Sequence, residues 1–389
     1  MSMDETRAGS SGLLIAQPLS GVRVLDLSRF PPGAYCTVLL GDLGAEVCRV
    51  DAPGADLTRA GIGVGLGRGR RSAAIDLRHP QGPEVLRRVA GWADVLVENN
   101  RPGDMEARGY GYRQISAEHP RLVWCSITGF GQDGPYARYP GHDLTYTAQS
   151  GLLAAINPEL PWHPQQVLAL PIGAMLAASA ITAALFDRER TGRGRWIDIS
   201  LTEAATWLLT GSDRSLAEGS WIPVSASRRL YRCADGRYVT VAAQEPRTWA
   251  ALCEGLGLPE LAREGPLVVE HSAELEARLA SAFATRPAAE WLTLLGPKGA
   301  AISIVNHGAD VVSDPHVRTR ESVVEIEGVP LPANPIRMGD RDGFHRATNT
   351  GAPPKVGADT SWLLSNAGFS TAEIDGLRSA GAVADAGSP

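Results

Sequence analysis

A strand–helix–strand unit near the start constrains this chain most. Gly21-Val22-Arg23-Val24-Leu25-Asp26-Leu27 alternates and is β-branched, which specifies a strand. Pro31-Pro32-Gly33 opens a turn, and residues 34–41 place apolar side chains at helical spacing. Glu46-Val47-Cys48-Arg49-Val50 is a second strand. Two strands joined by a helix within roughly 30 residues form a right-handed parallel crossover. The pattern repeats with a strand at 72–77, an amphipathic helix at 81–92, a buried strand at 94–98 and another strand at 121–127. Alternating strands and helices of this kind specify a doubly wound, Rossmann-like α/β domain.

The rest of the chain divides by pattern. An apolar, small-residue-rich helix is predicted over 173–190, followed by a strand at 196–201. The helix is too short, and too polar at its end, to span a bilayer comfortably, so it is read as a core helix. Residues 220–313 differ: a hairpin over 231–241 turns at Asp235-Gly236, and helices follow at 247–255, 272–284 and 288–295. This is a smaller α+β domain. Residues 322–354 are rich in Pro and Gly and read as a crossing segment that returns to the first domain, before a last helix at 371–378. The predicted organisation is a flexible leader (1–17), a large α/β domain from both chain ends (18–205 and 325–389) and a small domain (220–313). A chain of 389 residues suits this, at about 150 residues per domain.

Composition narrows the function. The net charge of −6 gives no whole-molecule attraction to nucleic acid or anionic lipid, and neither is expected as a partner. Five scattered cysteines without a Cys-x-x-Cys pair read as reduced thiols. Leu13-Leu14-Ile15-Ala16 is too short for a signal peptide core, so a cytoplasmic location is expected. The eight histidines show no metal-ligand spacing, so no metal is expected.

Two positions stand out chemically. His142 is followed by Asp143 in a Gly-rich turn, and an imidazole suits proton abstraction near neutral pH. A structural histidine in a turn is the other reading. Glu245 ends a strand and precedes Pro246, where it is either an orienting carboxylate or a helix N-terminal residue favoured by the dipole. The alternating glycines from Gly61 to Gly69 fit a phosphate-wrapping loop or a flexible active-site loop. Trp162-His163-Pro164 fits either an acyl cover or a packed surface loop.

Many short motifs, in order, resemble the family III coenzyme A transferases, which include formyl-CoA transferases, carnitine CoA-transferases and α-methylacyl-CoA racemases. They begin with Pro18-Leu19-Ser20-Gly21-Val22-Arg23-Val24-Leu25-Asp26-Leu27 and Leu40-Gly41-Asp42-Leu43-Gly44-Ala45-Glu46-Val47. Arg70-Arg71-Ser72, Val95-Leu96-Val97-Glu98-Asn99, Arg101-Pro102-Gly103 and Gly129-Phe130-Gly131-Gln132-Asp133-Gly134-Pro135-Tyr136 follow. Gly141-His142-Asp143, Thr191-Gly192-Arg193-Gly194 and Asp314-Pro315-His316-Val317 complete the set. The resemblance covers roughly residues 18–380 and is closest to the racemase branch.

The resemblance implies an interlocked homodimer acting on an acyl thioester, with coenzyme A as part of the substrate rather than a covalent cofactor. It makes His142 a base at the α-carbon, Glu245 its hydrogen-bonding partner and Asp143 a supporting group. It places Arg49, Arg70, Arg71, Asn99 and Arg101 where the family binds the nucleotide, with Arg108 as the displaced counterpart of the Arg that commonly follows the Arg-Pro-Gly turn. Guanidinium groups suit that polyanion, although each taken singly also reads as a solvated surface charge.

Two departures matter. Family transferases carry a nucleophilic Asp shortly before the long core helix, and racemases place a second base there; this chain has Ala169 or Leu170. The Arg often found after the second strand is Ala52 here. The leading expectation is therefore one-base α-proton chemistry, isomerase- or racemase-like, at His142. A CoA transferase moving CoA between acids is the second expectation, and a fold repurposed for a non-CoA ligand is the third.

Overall fold

Strand β1 (Arg23–Asp26) sends Val24 to one face of a sheet and Leu25 to the other, and each joins a separate buried core. β2 (Glu46–Asp51) does the same with Val47 and Cys48, and β4 (Val95–Glu98) with Val95 and Leu96. A strand that must be apolar on both faces belongs in the middle of a covered parallel sheet. The computed structural model of the chain describes residues 17–157, 162–211, 225–263, 265–266, 272–340 and 343–387. Of the predicted leader, residues 1–16 lie outside that range. The chain divides into two units, Met1–Leu216 with Glu321–Pro389, and Ala217–Arg320.

The first unit holds a seven-stranded sheet. Its other strands are β3 (Arg71–Ile75), β5 (Val123–Thr128), β6 (Trp196–Ser200) and β14 (Val383–Ala384), in the order β14-β3-β2-β1-β4-β5-β6. All pairs are parallel except β14 on β3. Val24 pairs with Val47 on one side and Val95 on the other. The strand order reverses between β1 and β4, which creates a crevice at the carboxyl ends of those strands.

Helices cover both faces. The described helices of its first segment are α1 (Pro31–Asp42), α2 (Val64–Gly67), α3 (Gly82–Ala90), α4 (Asp104–Ala107), α5 (Tyr112–Glu118), α6 (Asp143–Gln149), α7 (Leu152–Ile156), α8 (Ala169–Thr191) and α9 (Leu201–Trp207), with two more in the segment after Glu321. α8 packs on α1, β5, β6 and α9. It is long and apolar enough by composition to cross a membrane, but Ala174, Ala177, Ile181 and Ala184 are buried in the domain core. It starts at Ala169, four residues before the predicted start. Pro171 sits in the first helical turn, where a missing N–H costs nothing.

The second unit is an antiparallel sheet, β7 (Arg228–Arg232), β8 (Tyr238–Ala242) and β9 (Ile302–Ile304), with α10 (Pro246–Gly255), α11 (Ser272–Phe283), α12 (Ala288–Leu295), α13 (Gly308–Ser313) and α14 (Pro315–Thr319). Tyr231, Trp249, Phe283 and Trp291 fill its core, and each of their polar tips reaches a backbone carbonyl where it has one.

The Pro- and Gly-rich stretch that read as a plain crossing segment contains two hairpins of the first unit. They are β10 (Val323–Ile326) with β11 (Val329–Pro332), and β12 (Arg337–Asp340) with β13 (Gly343–Arg346). Pro330 and Pro332 are tolerated because this is a two-stranded ribbon, where every strand is an edge. α15 (Thr360–Asn366), α16 (Thr371–Ser379) and β14 close the chain; α15 and β14 were not predicted.

Candidate functional site

A cleft of about 580 Å³ opens at the switch point of the sheet. Leu27 follows β1, Asp51 and Ala52 end β2, Asp76 follows β3 and Asn100 follows β4, so four strand ends form its floor. Met105 and Arg108 form one wall. Three cleft arginines, Arg29, Arg78 and Arg108, are exposed, and among the described residues none of them pairs with a carboxylate. Asn99 accepts a hydrogen bond from the Arg29 N–H at 2.8 Å and so fixes that corner of the cleft.

Of the arginines singled out in the sequence, Arg49, Arg70 and Arg71 are already engaged by carboxylates. Arg49 grips both carboxylate oxygens of Asp51 through Nε, at 2.9 and 2.8 Å, and is 2% exposed. Arg70 donates to Asp26 at 3.1 Å; burial pushes its guanidinium down to about 10 despite the attraction of Asp26. Asp26 also accepts from Thr37 of α1 at 2.7 Å. Two arginines and two aspartates thus neutralise one another beneath α1. Arg71 lies on β3, paired with Glu46 at 2.9 Å and Asp359 at 3.1 Å and stacked over Trp362. Arg101 lines a small recess with Glu98, Trp124 and Trp196. Arg29 and Arg78 were missed in the sequence; the signal available was their position just past the carboxyl ends of β1 and β3.

His142 comes from the loop after β5, on the same edge of the sheet. It is the N-cap of α6 and is exposed, and its backbone N–H donates to Thr145 Oγ1 at 3.4 Å. Asp143 is buried. Its Oδ2 accepts from the Leu168 N–H and its Oδ1 from the Leu170 N–H, both at 2.9 Å. Asp143 thereby caps α8 from another helix and seats the start of α8 against His142. The loop is also fastened to the cleft: Arg138 donates to the Pro102 carbonyl and to Asp104, at 3.1 Å for the latter, where α4 begins the cleft wall.

The first turn of α8 carries no carboxylate of its own. Ala169 is fully buried and Leu170 half-buried in the first turn of α8, and the only carboxylate bonded to that turn among the described residues is Asp143. Glu245, in the second unit, is the exposed N-cap of α10, and its Oε2 accepts from Thr248 Oγ1 at 2.9 Å. Among the described residues there is no group of three or more His, Cys, Asp or Glu placed to hold a metal.

The profile of CoA-transferase family III matches residues 19–360. The chain belongs to that family. This family III chain is 34% identical to human alpha-methylacyl-CoA racemase, over 93% of its own length and 96% of that protein. It is 32% identical to mouse succinyl-CoA:glutarate CoA-transferase, over 90% and 86%. Its fold matches the crystal structure of a CAIB/BAIF family protein from Brucella suis with a TM-score of 0.79 and 28% identity, over 90% of this chain and all of that one. Racemases and transferases both appear among the relatives of this family III member, so it is an enzyme of isomerase or transferase type that acts in the chemistry of coenzyme A thioesters.

Proposed function

We propose that this enzyme exchanges the α-proton of an acyl-CoA thioester, with His142 as the single base. The observation that carries the reading is the first turn of α8, where Ala169 and Leu170 offer neither a nucleophile nor a second base, while His142 stands exposed beside it. The imidazole takes the α-proton, the C–H electron pair moves into the thioester carbonyl, and the enolate recovers a proton at the same carbon. The CoA phosphates take Arg29, Arg78 and Arg108 in the switch-point cleft, because these guanidinium groups are not already neutralised. Glu245 is kept as the carboxylate partner of His142, and the homodimer as the working assembly, on the strength of the family resemblance.

The test is deuterium incorporation from heavy water into a 2-methylacyl-CoA, followed by mass spectrometry. Exchange that is lost in His142→Ala supports the proposal. Exchange that survives this change overturns it. An acyl adduct trapped by hydroxylamine would establish transfer instead, and failure to bind CoA at millimolar concentration would remove the thioester altogether.

A further inference from the structure

Four aromatic rings form a continuous chain: Phe130, Tyr136 and Tyr139 on the loop between β5 and α6, and Tyr146 on α6 itself. Centroids are 5.3 Å apart for Phe130 and Tyr146, 5.9 Å for Phe130 and Tyr136, and 5.2 Å for Tyr136 and Tyr139. Burial falls along the chain: Tyr146 is 9% exposed, Tyr136 43% and Tyr139 61%. The buried end lies at the proposed base, because the Tyr146 hydroxyl donates at 2.6 Å to the carbonyl of Gly141, the residue before His142. Two more apolar side chains reach the surface beside the same histidine. Leu144 on α6 is one; Val167 is the other, and its neighbour Leu168 is held by Asp143. Arg138, between the two exposed tyrosines, fastens the loop to the cleft wall at Asp104.

These features do not match an ordinary solvated loop. Among the described residues neither exposed tyrosine hydroxyl has a hydrogen-bond partner, so the rings are oriented by each other and by Phe130, not by their polar tips. An open aromatic shelf favours a flat ring, which gains edge-to-face or offset contact beyond its buried area. It favours a flexible alkyl chain less, because such a chain needs an enclosing groove to offset its ordering entropy.

We infer that Tyr136 and Tyr139 are specificity-determining residues, forming the acyl subsite and selecting thioesters whose acyl group ends in a flat apolar ring. The inference rests on the thioester reading above. The experiment compares α-deuterium exchange of 3-phenylpropanoyl-CoA and nonanoyl-CoA, which have equal carbon counts. With one or two aromatic contacts at stake, the ring-bearing thioester should be favoured about tenfold in kcat/KM. That ratio should collapse toward one in Tyr139→Leu and in Tyr136→Leu, which keep apolar surface and lose the ring. Equal rates in the parent enzyme, or a ratio preserved in both variants, would overturn the inference and leave α-proton chemistry standing. A changed sedimentation coefficient in Tyr139→Leu would also overturn it, by assigning the shelf to contact between copies. Exchange of neither thioester would sink the thioester reading itself, and the inference with it.

Discussion

Asp143 accepts a hydrogen bond from the backbone N–H of Leu170, and this one contact ties the His142 turn to the helix start where the family resemblance calls for a carboxylate. Asp143 also takes the Leu168 N–H and accepts from Thr147 Oγ1 at 3.4 Å. Three donors hold its carboxylate in place, so in the proposed mechanism Asp143 is assigned to positioning.

Replacing it should therefore cost stability as well as rate. Asp143→Ala leaves two N–H groups of α8 without their acceptor and should destabilise the protein by about 1–3 kcal/mol in urea unfolding. Asp143→Asn keeps one acceptor oxygen and should cost less. Its exchange rate should fall with the pH dependence of the remaining activity unchanged, since the proposed base, His142, is left in place. A pH profile displaced along with the rate would show that Asp143 itself carries the proton.

A second prediction concerns two glycines. A Cβ on Gly129 would sit 2.3 Å from the Tyr146 ring, and one on Gly141 2.5 Å from it. The ring cannot retreat without losing its bond to the Gly141 carbonyl. Gly129→Ala should destabilise the fold by about 1–3 kcal/mol through overpacking. Adding Tyr146→Leu should recover part of that loss, and a strictly additive double variant in thermal unfolding would refute the packing argument.

The third prediction tests a latch between distant segments. Asp42 of α1 meets Arg68 Nη2 at 2.6 Å, both buried, and accepts the Asn349 N–H at 2.8 Å. The Asn349 amide in turn donates to the Gly69 carbonyl at 2.9 Å. Asp42→Asn leaves a buried guanidinium uncompensated and should cost about 3–5 kcal/mol, whereas Asp42→Leu with Arg68→Met should lie far closer to the parent protein. Equal losses in the single and double variants would mean that shape, not charge, holds the latch.

The sequence exposed the sheet more clearly than the site. β1 through β5 are apolar on both faces, so local composition alone marks them as central strands. The start of α8 was hidden because its cap comes from Asp143, 25 positions upstream of Leu168. Arg70 looked like a free anion binder because Asp26, which pairs with it, stands 44 positions away in sequence. Long-range ion pairing leaves no local pattern. The hairpin β10–β11 was obscured by Pro330 and Pro332, which a central strand would not accept but a ribbon does.

The last prediction is a pH dependence. Glu98 ends β4 and is 5% exposed; burial raises its carboxyl above the ordinary value, against hydrogen bonds from Ser126 and Asn100, the latter through its N–H at 2.6 Å. Because the folded value is raised, the unfolded chain gives up this proton first. The contribution of Glu98 is therefore greatest when it is protonated and is lost as pH climbs from the unfolded value through the folded one. Glu98→Gln keeps an acceptor for the Asn100 N–H and cannot ionise. Stability should be measured by urea unfolding between about pH 4 and about pH 8. The parent protein should lose ground to Glu98→Gln as pH rises, at no more than about 1.4 kcal/mol per pH unit for one proton. Parallel curves would show that Glu98 titrates alike in the folded and unfolded chains, and that the recess beneath Trp124 and Trp196 does not hold its proton.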